Sequence, residues 1–391
     1  MKLLLLITNG DSTMVNPQRT RVAVLVSLLT IGGAEQLLLE LLRHIDRQRF
    51  ELHIFFLREP GLVGKEVLQL GFPVTTEIIR SKFDLSGVFK LARLLKENKT
   101  DVVFLINHLN TLFFGILAAK LAGVRSCINW ENETYKKYPF HNLTMLGRRI
   151  LHLGIDYVVA AAKGHGDYIA AEEKIPHAKI RVIYNGVDPE RFQSSLSPGE
   201  ARKRLGIPPE SPVVSIVAAL RPDKAHHVFL QAARLVVDAI PESHFLVIGD
   251  GPQMPFLKTL ALELHIEKQV HFMGFQRRLG DIFAAVDINC LSSYPQQETL
   301  SVAAIEAMSA GIPIICTDVG FMNEIVIPNE TGFLVPVDDP VGLAEKLIHV
   351  LKNPEQQRYM GNQARKLVNE TLSVHQMARA FEQLMLLAKP G

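Results

Sequence analysis

The chain predicts an α/β protein made of two doubly wound domains, each a parallel sheet covered by helices on both faces. Three observations carry this. Short β-branched and aliphatic runs alternate with longer helical patterns. The alternation breaks once, in a polar, proline-containing stretch at 194–212, and then restarts. The length of 391 residues and the 48% hydrophobic content supply core for two units of roughly 200 residues each. Alternating strand and helix requires crossover connections, hence parallel strands. Ligands of such sheets sit beyond the carboxyl ends of the strands, so the cleft between the two sheets is the expected site.

The first series reads as strands at 22–27, 52–57, 102–107, 127–130, 157–161 and 181–184, with helices at 34–45 and 85–97 among them. Residues 1–20 form an extension whose run from Leu3 to Ile7 lacks the long apolar core and small-residue cleavage site of a secretory signal; this points to a translation start at Met14. The second series places strands at 213–220, 244–249, 270–272, 288–291 and 314–317. Two helical patterns, 355–370 and 374–388, close the chain, the second capped by Ser373. The domains are therefore expected at 21–190 and 191–370, with a C-terminal helix at 371–391.

A formal net charge of +2 gives no basic field and argues against nucleic acid as a partner. Three cysteines, Cys127, Cys290 and Cys316, are an odd number without Cys-x-x-Cys spacing, which fits a reducing cytoplasm. The most apolar run, 112–119, is too short to cross a bilayer.

Gly32 and Gly33 precede the helix at 34–45, where backbone N–H groups can approach an anion; a plain tight turn is the equal alternative, and the G-x-G-x-x-G spacing of a dinucleotide site is missing. Arg221 and Lys224 follow a strand and precede a helix, a place where two cations can hold a diphosphate and stabilise it as it departs; a solvated loop is the competing reading. His226 and His227 have no partner at metal-ligand spacing, so they are read as helix-start surface residues rather than ligands.

Glu298 and Glu306 stand eight residues apart in a strand, loop, helix pattern. Eight helical rises span about 12 Å, with Glu298 at the mouth of the helix. That exceeds the distance at which two carboxylates flank one glycosidic bond, so the pair fits two ends of one long ligand rather than an acid and a base. The competing reading is a dipole-favoured charge at Glu298 and an ordinary exposed helix residue at Glu306.

Taken together, several stretches resemble the retaining GT-B glycosyltransferases of family 4. They are Gly32 to Glu35, Val182 to Asp188, Arg221 to Lys224, Gly249 to Pro252, the Glu298 and Glu306 pair followed by Ala307-Met308, and Pro313 to Glu324. The resemblance implies two Rossmann-like domains facing across a cleft, an acceptor-binding one first and a donor-binding one second, with the last helix returning to the first. It implies a nucleotide-sugar donor, UDP preferred over GDP, a glycan or lipid-linked acceptor, and a place in polysaccharide or lipopolysaccharide assembly. Arg221 and Lys224 would neutralise the donor pyrophosphate in place of a metal, and no cofactor is implied. Glu298 would hold the sugar and Glu306 the ribose diol, for which a carboxylate is a two-acceptor partner. Thr299, the amides of Leu300 and Ser301 at the start of a helix, and Gly274 with Phe275 near the base complete the expected donor contacts, with Gly32 and Gly33 opposite. Retention implies front-face displacement, in which the leaving phosphate helps deprotonate the acceptor.

The chain departs from the family at the acceptor side. Where a histidine commonly stands, this sequence has Glu131 and Asn132; His108 is the other acceptor-side candidate. The late loop reads Gly320-Phe321 instead of two glycines, and Ala219 replaces a common arginine. A segment with Tyr135, Lys136, Lys137 and, further on, Arg148 and Arg149 has the composition of a surface resting on anionic lipid, the alternative being a solvated helix face. Two other readings use the same cleft: a GT-B nucleotide-sugar epimerase and a non-catalytic nucleotide-sugar binding protein.

Overall fold

The computed structural model describes residues 19–29, 32–81, 83–106, 109–132, 141–295 and 298–389. Met14, His108, Tyr135, Lys136 and Lys137 lie outside them. The first domain runs β1 (Thr20–Val26), α1 (Gly33–His44), β2 (Phe50–Phe56), α2 (Gly61–Leu68), β3 (Val74–Thr75), α3 (Ser86–Glu97), β4 (Val102–Ile106), α4 (Leu109–Ala122), β5 (Ser126–Glu131), α5 (His141–His152), β6 (Tyr157–Ala160), α6 (Lys163–Glu173) and β7 (Ile180–Val182). After a linker come α7 (Pro198–Arg204), β8 (Val213–Val217), α8 (His226–Ala239), β9 (His244–Ile248), α9 (Met254–Glu263), β10 (Val270–Gly274), α10 (Gly280–Phe283), β11 (Ile288–Leu291), α11 (Val302–Ser309), β12 (Ile314–Thr317), β13 (Gly332–Val335), α12 (Pro340–Leu351), α13 (Pro354–Thr371) and α14 (Val374–Ala388).

Both sheets are parallel, in the orders β3-β2-β1-β4-β5-β6-β7 and β10-β9-β8-β11-β12-β13. The central strands are apolar without alternation, as burial on two faces requires; every residue of β4 is buried. Strand order reverses between β1 and β4 and between β8 and β11, and the crevice at such a switch point is where ligands bind. Two strands escaped the sequence pattern: β3 has only two residues, and β13 opens on a glycine whose close fit against Ile314 leaves no room for a side chain.

Helix α14 crosses back to the first domain. Val374, Met377, Phe381 and Met385 share the core of β1, β4 and Trp130, with the Phe381 ring 4.6 Å from that of Trp130 and 5.4 Å from that of Phe104. Burying each such side chain stabilises the domain by about 1.5–3 kcal/mol. Ser373 caps the helix by accepting from the Gln376 amide. The two crossings lie side by side: Val187 bridges Ser373, and a Cβ on Gly186 would come within 2.5 Å of the Ser373 carbonyl oxygen.

Candidate active site

The loop after β8 turns through Pro222–Lys224 and enters α8 at Ala225, which adopts a left-handed conformation at φ 45°. This turn sits against the end of β11, where Ser292 Oγ donates to the carbonyls of Lys224 and Ala225 at 3.0 Å each. Lys224 Nζ is thereby aimed at Glu298 and donates to its Oε2 at 2.5 Å, with Ser293 Oγ donating to the same oxygen at 3.0 Å. Among the described residues, the other oxygen of Glu298 has no partner, so one acceptor remains for a ligand. Arg221 donates to Asp223 in its own turn at 2.9 and 3.1 Å and stays half-exposed.

Glu298 does not stand in the helix. Helix α11 begins at Val302, with Ser301 as its N-cap accepting from the Ala304 amide. The expected 12 Å of helical rise is thus not the geometry of the pair, because residues 298–301 are loop. The Ser301 amide is also not turned to an open phosphate site as expected; it points at the Met322 sulfur, 3.5 Å away. Neighbouring groups tie this loop to the first domain: Thr299 Oγ1 donates to the Asn132 carbonyl at 2.8 Å, and Asn185 donates to the Leu300 carbonyl at 3.1 Å. Gly33 stands opposite, where a Cβ would lie 3.2 Å from a Val302 methyl, so this glycine lets α1 approach α11 closely. Gly32 precedes α1 in extended backbone. Gly274, at φ 66°, ends β10, and Phe275 beyond it is half-exposed; both lie two strands from β8.

The second departure in the late loop has a structural reason. Gly320 sits at φ 58°, and a Cβ there would run into the carbonyls of Glu298 and Thr299. Phe321 then stacks on His165 with ring centroids 5.6 Å apart, over Gly164, which has no side chain to block it. Glu324 accepts from the amides of Lys163 and Gly164 at 3.0 and 2.7 Å and from the Tyr184 hydroxyl at 2.6 Å. A carboxylate is favoured at that helix N-terminus.

On the acceptor side the structure corrects two expectations. Glu131 is not an open acceptor group: it is 1% exposed and ion-paired with Arg148, which also donates to Glu173 at 3.0 and 3.2 Å. Burial pushes the Glu131 carboxyl up, but the charge and hydrogen bond of Arg148 outweigh this and hold it below the usual range. Burial, with repulsion from Glu131, lifts Glu173 to about 7, and burial beside Arg148 lowers His152 to about 3. Arg148 therefore belongs to no basic surface. Met145, Arg148 and His152 form the inward face of α5, while Leu146, Ile150 and Leu153 are exposed. Asn132 faces the second domain through its carbonyl.

Glu306 lines a narrow cleft between α1 and α11 together with Gln36, Glu40, Asp188 and Arg191. Burial raises its carboxyl to about 7; Arg191 opposes the rise and Glu40 adds to it. Glu40 and Arg191 were missed by sequence reasoning. The signal was a lone carboxylate within a run of leucines, Leu37 to Leu42.

Two family models match the chain: "Glycosyltransferase Family 4" over residues 31–191 and "Glycosyl transferases group 1" over residues 199–367. One relative is the N-acetyl-alpha-D-glucosaminyl L-malate synthase of Bacillus anthracis, 26% identical over 91% of this chain and 94% of its own length. Another is the UDP-Gal:alpha-D-GlcNAc-diphosphoundecaprenol alpha-1,3-galactosyltransferase of Escherichia coli, 25% identical over 87% and 90%. Among solved structures, Anabaena HepE in complex with UDP and glucose superposes with a TM-score of 0.80 at 20% identity, covering 94% of this chain and all of that one. The lipopolysaccharide glycosyltransferase WaaG superposes at 0.72 with 16% identity, over 95% of this chain and all of WaaG. Two parallel, Rossmann-like sheets in this arrangement are the GT-B fold. The chain belongs to the group 1, family 4 glycosyltransferases.

Proposed function

We propose that this glycosyltransferase moves a hexosyl-type sugar from a nucleoside diphosphate donor, UDP preferred, to a glycan or lipid-linked acceptor with retention of configuration. The observation that carries this reading is the Lys224 and Glu298 pair at the switch point between β8 and β11, with Arg221 beside it. Lys224 and Arg221 supply positive charge where a leaving diphosphate gathers negative charge, without a metal ion. Glu298, fixed by Lys224 and Ser293 through one oxygen, offers the other to sugar hydroxyls. Catalysis is then positioning and leaving-group stabilisation, with the donor phosphate taking the acceptor proton. Relatives named for UDP-galactose and for UDP with glucose support the donor class, and the diphosphoundecaprenol acceptor of one supports cell-surface polysaccharide or lipopolysaccharide assembly.

The acceptor domain is read as resting on an anionic membrane at the inner face of the cytoplasmic membrane. The exposed residues Leu146, Ile150 and Leu153 support this, with the partly buried Arg149 between them. Among the described residues, no helix is long and apolar enough to cross a membrane. Loss of co-sedimentation with anionic vesicles on replacing the three apolar residues by serine is the expected outcome; unchanged binding would remove the idea.

A melting panel with UDP, GDP and ADP sugars tests the donor. A ligand that binds only the folded state raises the melting temperature, and the UDP sugar is expected to raise it most. No shift with any donor would overturn the reading. Replacing Glu298 by alanine should abolish transfer while UDP binding survives. Incubation without acceptor should leave the donor sugar unepimerised.

A further inference from the structure

The cleft around Glu306 is built by both halves of the molecule. Glu40 comes from α1; Arg191 comes from the turn Pro189–Phe192 within the linker. That turn belongs to the second domain by packing, since a Cβ on Gly280 would lie 2.7 Å from the Gln193 carbonyl and 3.4 Å from that of Arg191. Its geometry is set locally: Asp188 caps it by accepting from the Glu190 amide at 3.1 Å. From there Arg191 reaches across and donates to Glu40, which also accepts from Arg43 at 2.6 Å. A carboxylate only 5% exposed is thus held by two arginines, one from each domain. The Glu306 backbone carbonyl accepts from Ser309 Oγ and the Ala310 amide, but its carboxylate has no hydrogen bond or ion pair among the described residues. The charged groups facing it are Glu40 and, nearby, His44 on α1, and Asp188 and Arg191 on the linker turn; ligand atoms of Glu40, His44 and Asp188 lie within 4.8 Å of one another.

We propose that Arg191 is a positioning residue for the nucleoside end of the donor: anchored on Glu40 of the first domain, it stands beside Glu306 and completes the ribose site only when the two domains are together. The inference rests on the reading of Glu306 as the ribose-binding carboxylate. Three acidic groups crowd this cleft, and Arg191 is the cation that lowers the cost of a charged Glu306 among them. Burial places the Glu306 carboxyl near 7, Arg191 opposing that rise and Glu40 adding to it. A carboxylate accepts from both hydroxyls of a diol, whereas the protonated acid has less acceptor capacity. UDP binding therefore strengthens as pH rises through about 7. Removing Arg191 removes the lowering influence, so the midpoint moves to higher pH.

The test is calorimetric titration of UDP into the full-length protein from pH 6 to pH 9, with melting curves as the folding control. Arg191→Gln is expected to shift the midpoint up by about one unit and to weaken UDP about fivefold at pH 7, with recovery by pH 9. Arg191→Lys restores most of the wild-type profile, which a purely structural role in the linker would not require. A wild-type pH profile in Arg191→Gln overturns the proposal, as does an equal loss of binding at every pH in both Arg191 variants. Glu306→Ala separates the two readings: UDP binding like the wild type means the ribose assignment itself is wrong, whereas lost binding there with an unmoved profile in Arg191→Gln sinks only the role of Arg191.

Discussion

Two ionic clusters, one in each domain, use the same residue types to opposite ends. In the first domain Arg148 is 1% exposed and is paired with both Glu131 and Glu173. In the second domain Lys224 and Arg221 also have carboxylate partners, but Arg221 is half-exposed and Glu298 keeps an acceptor oxygen unused among the described residues. A closed cluster fixes the packing of α5 and α6 on β5 and leaves nothing for a ligand. An open one can exchange an internal partner for a phosphate or a hydroxyl. Charge near a cleft thus predicts chemistry only when its hydrogen-bonding capacity is unfilled.

The comparison is broken most forcefully at Arg148. Arg148→Met leaves two buried carboxylates without their cation and should cost about 3–5 kcal/mol. The loss should be larger at pH 8 than at pH 6, because both carboxyl pKa values rise in the variant and stability returns as pH falls through them. Chemical denaturation at the two pH values checks this, and UDP binding by the remaining folded protein should be unchanged. Next in size is Lys224→Ala. The side chains of Lys224 and Glu298 are only 16% and 10% exposed, so losing the cation should cost about 1–3 kcal/mol of stability, less than at Arg148, whereas loss of leaving-group stabilisation should lower transfer about 10²–10³-fold. Parallel melts and rates decide it; a large melting shift with an intact rate would erase the contrast between the clusters. The smallest effect is expected at Ala225, whose left-handed backbone orients Lys224. Ala225→Gly should relieve strain and stabilise by about 0.5 kcal/mol, net of the entropy that glycine adds to the unfolded chain. A melting curve showing destabilisation would mean that the methyl packing outweighs the strain.

Most strands were legible because burial on both sheet faces demands runs such as Val102 to Ile106, and Ser373 announced α14 by its cap. The start of α11 was not legible: Glu298 and Thr299 look like a helix mouth, but Ser301 wins the capping position by bonding to the Ala304 amide. Helix α5 misled for a different reason. An arginine among leucines reads as surface, yet Arg148 points inward and Leu146, Ile150 and Leu153 outward, because its two carboxylate partners come from β5 and α6, distant in sequence. The pairing of Glu40 with Arg191, 151 residues apart, was hidden in the same way. Phe321, a departure from the family's glycine pair, is the side chain that packs the late loop on His165 and Gly164.

The return of α14 also sets an order of assembly. Phe381, Leu384 and Met385 complete the core beneath β1 and β4, yet they are made after the whole of the second sheet. The second sheet and its helices, by contrast, are entirely synthesised by Thr371. The domain made first is therefore the domain finished last. A nascent chain arrested before Val374 should hold a folded second half and a first half with one apolar sheet face uncovered, the state that chaperones and proteases recognise.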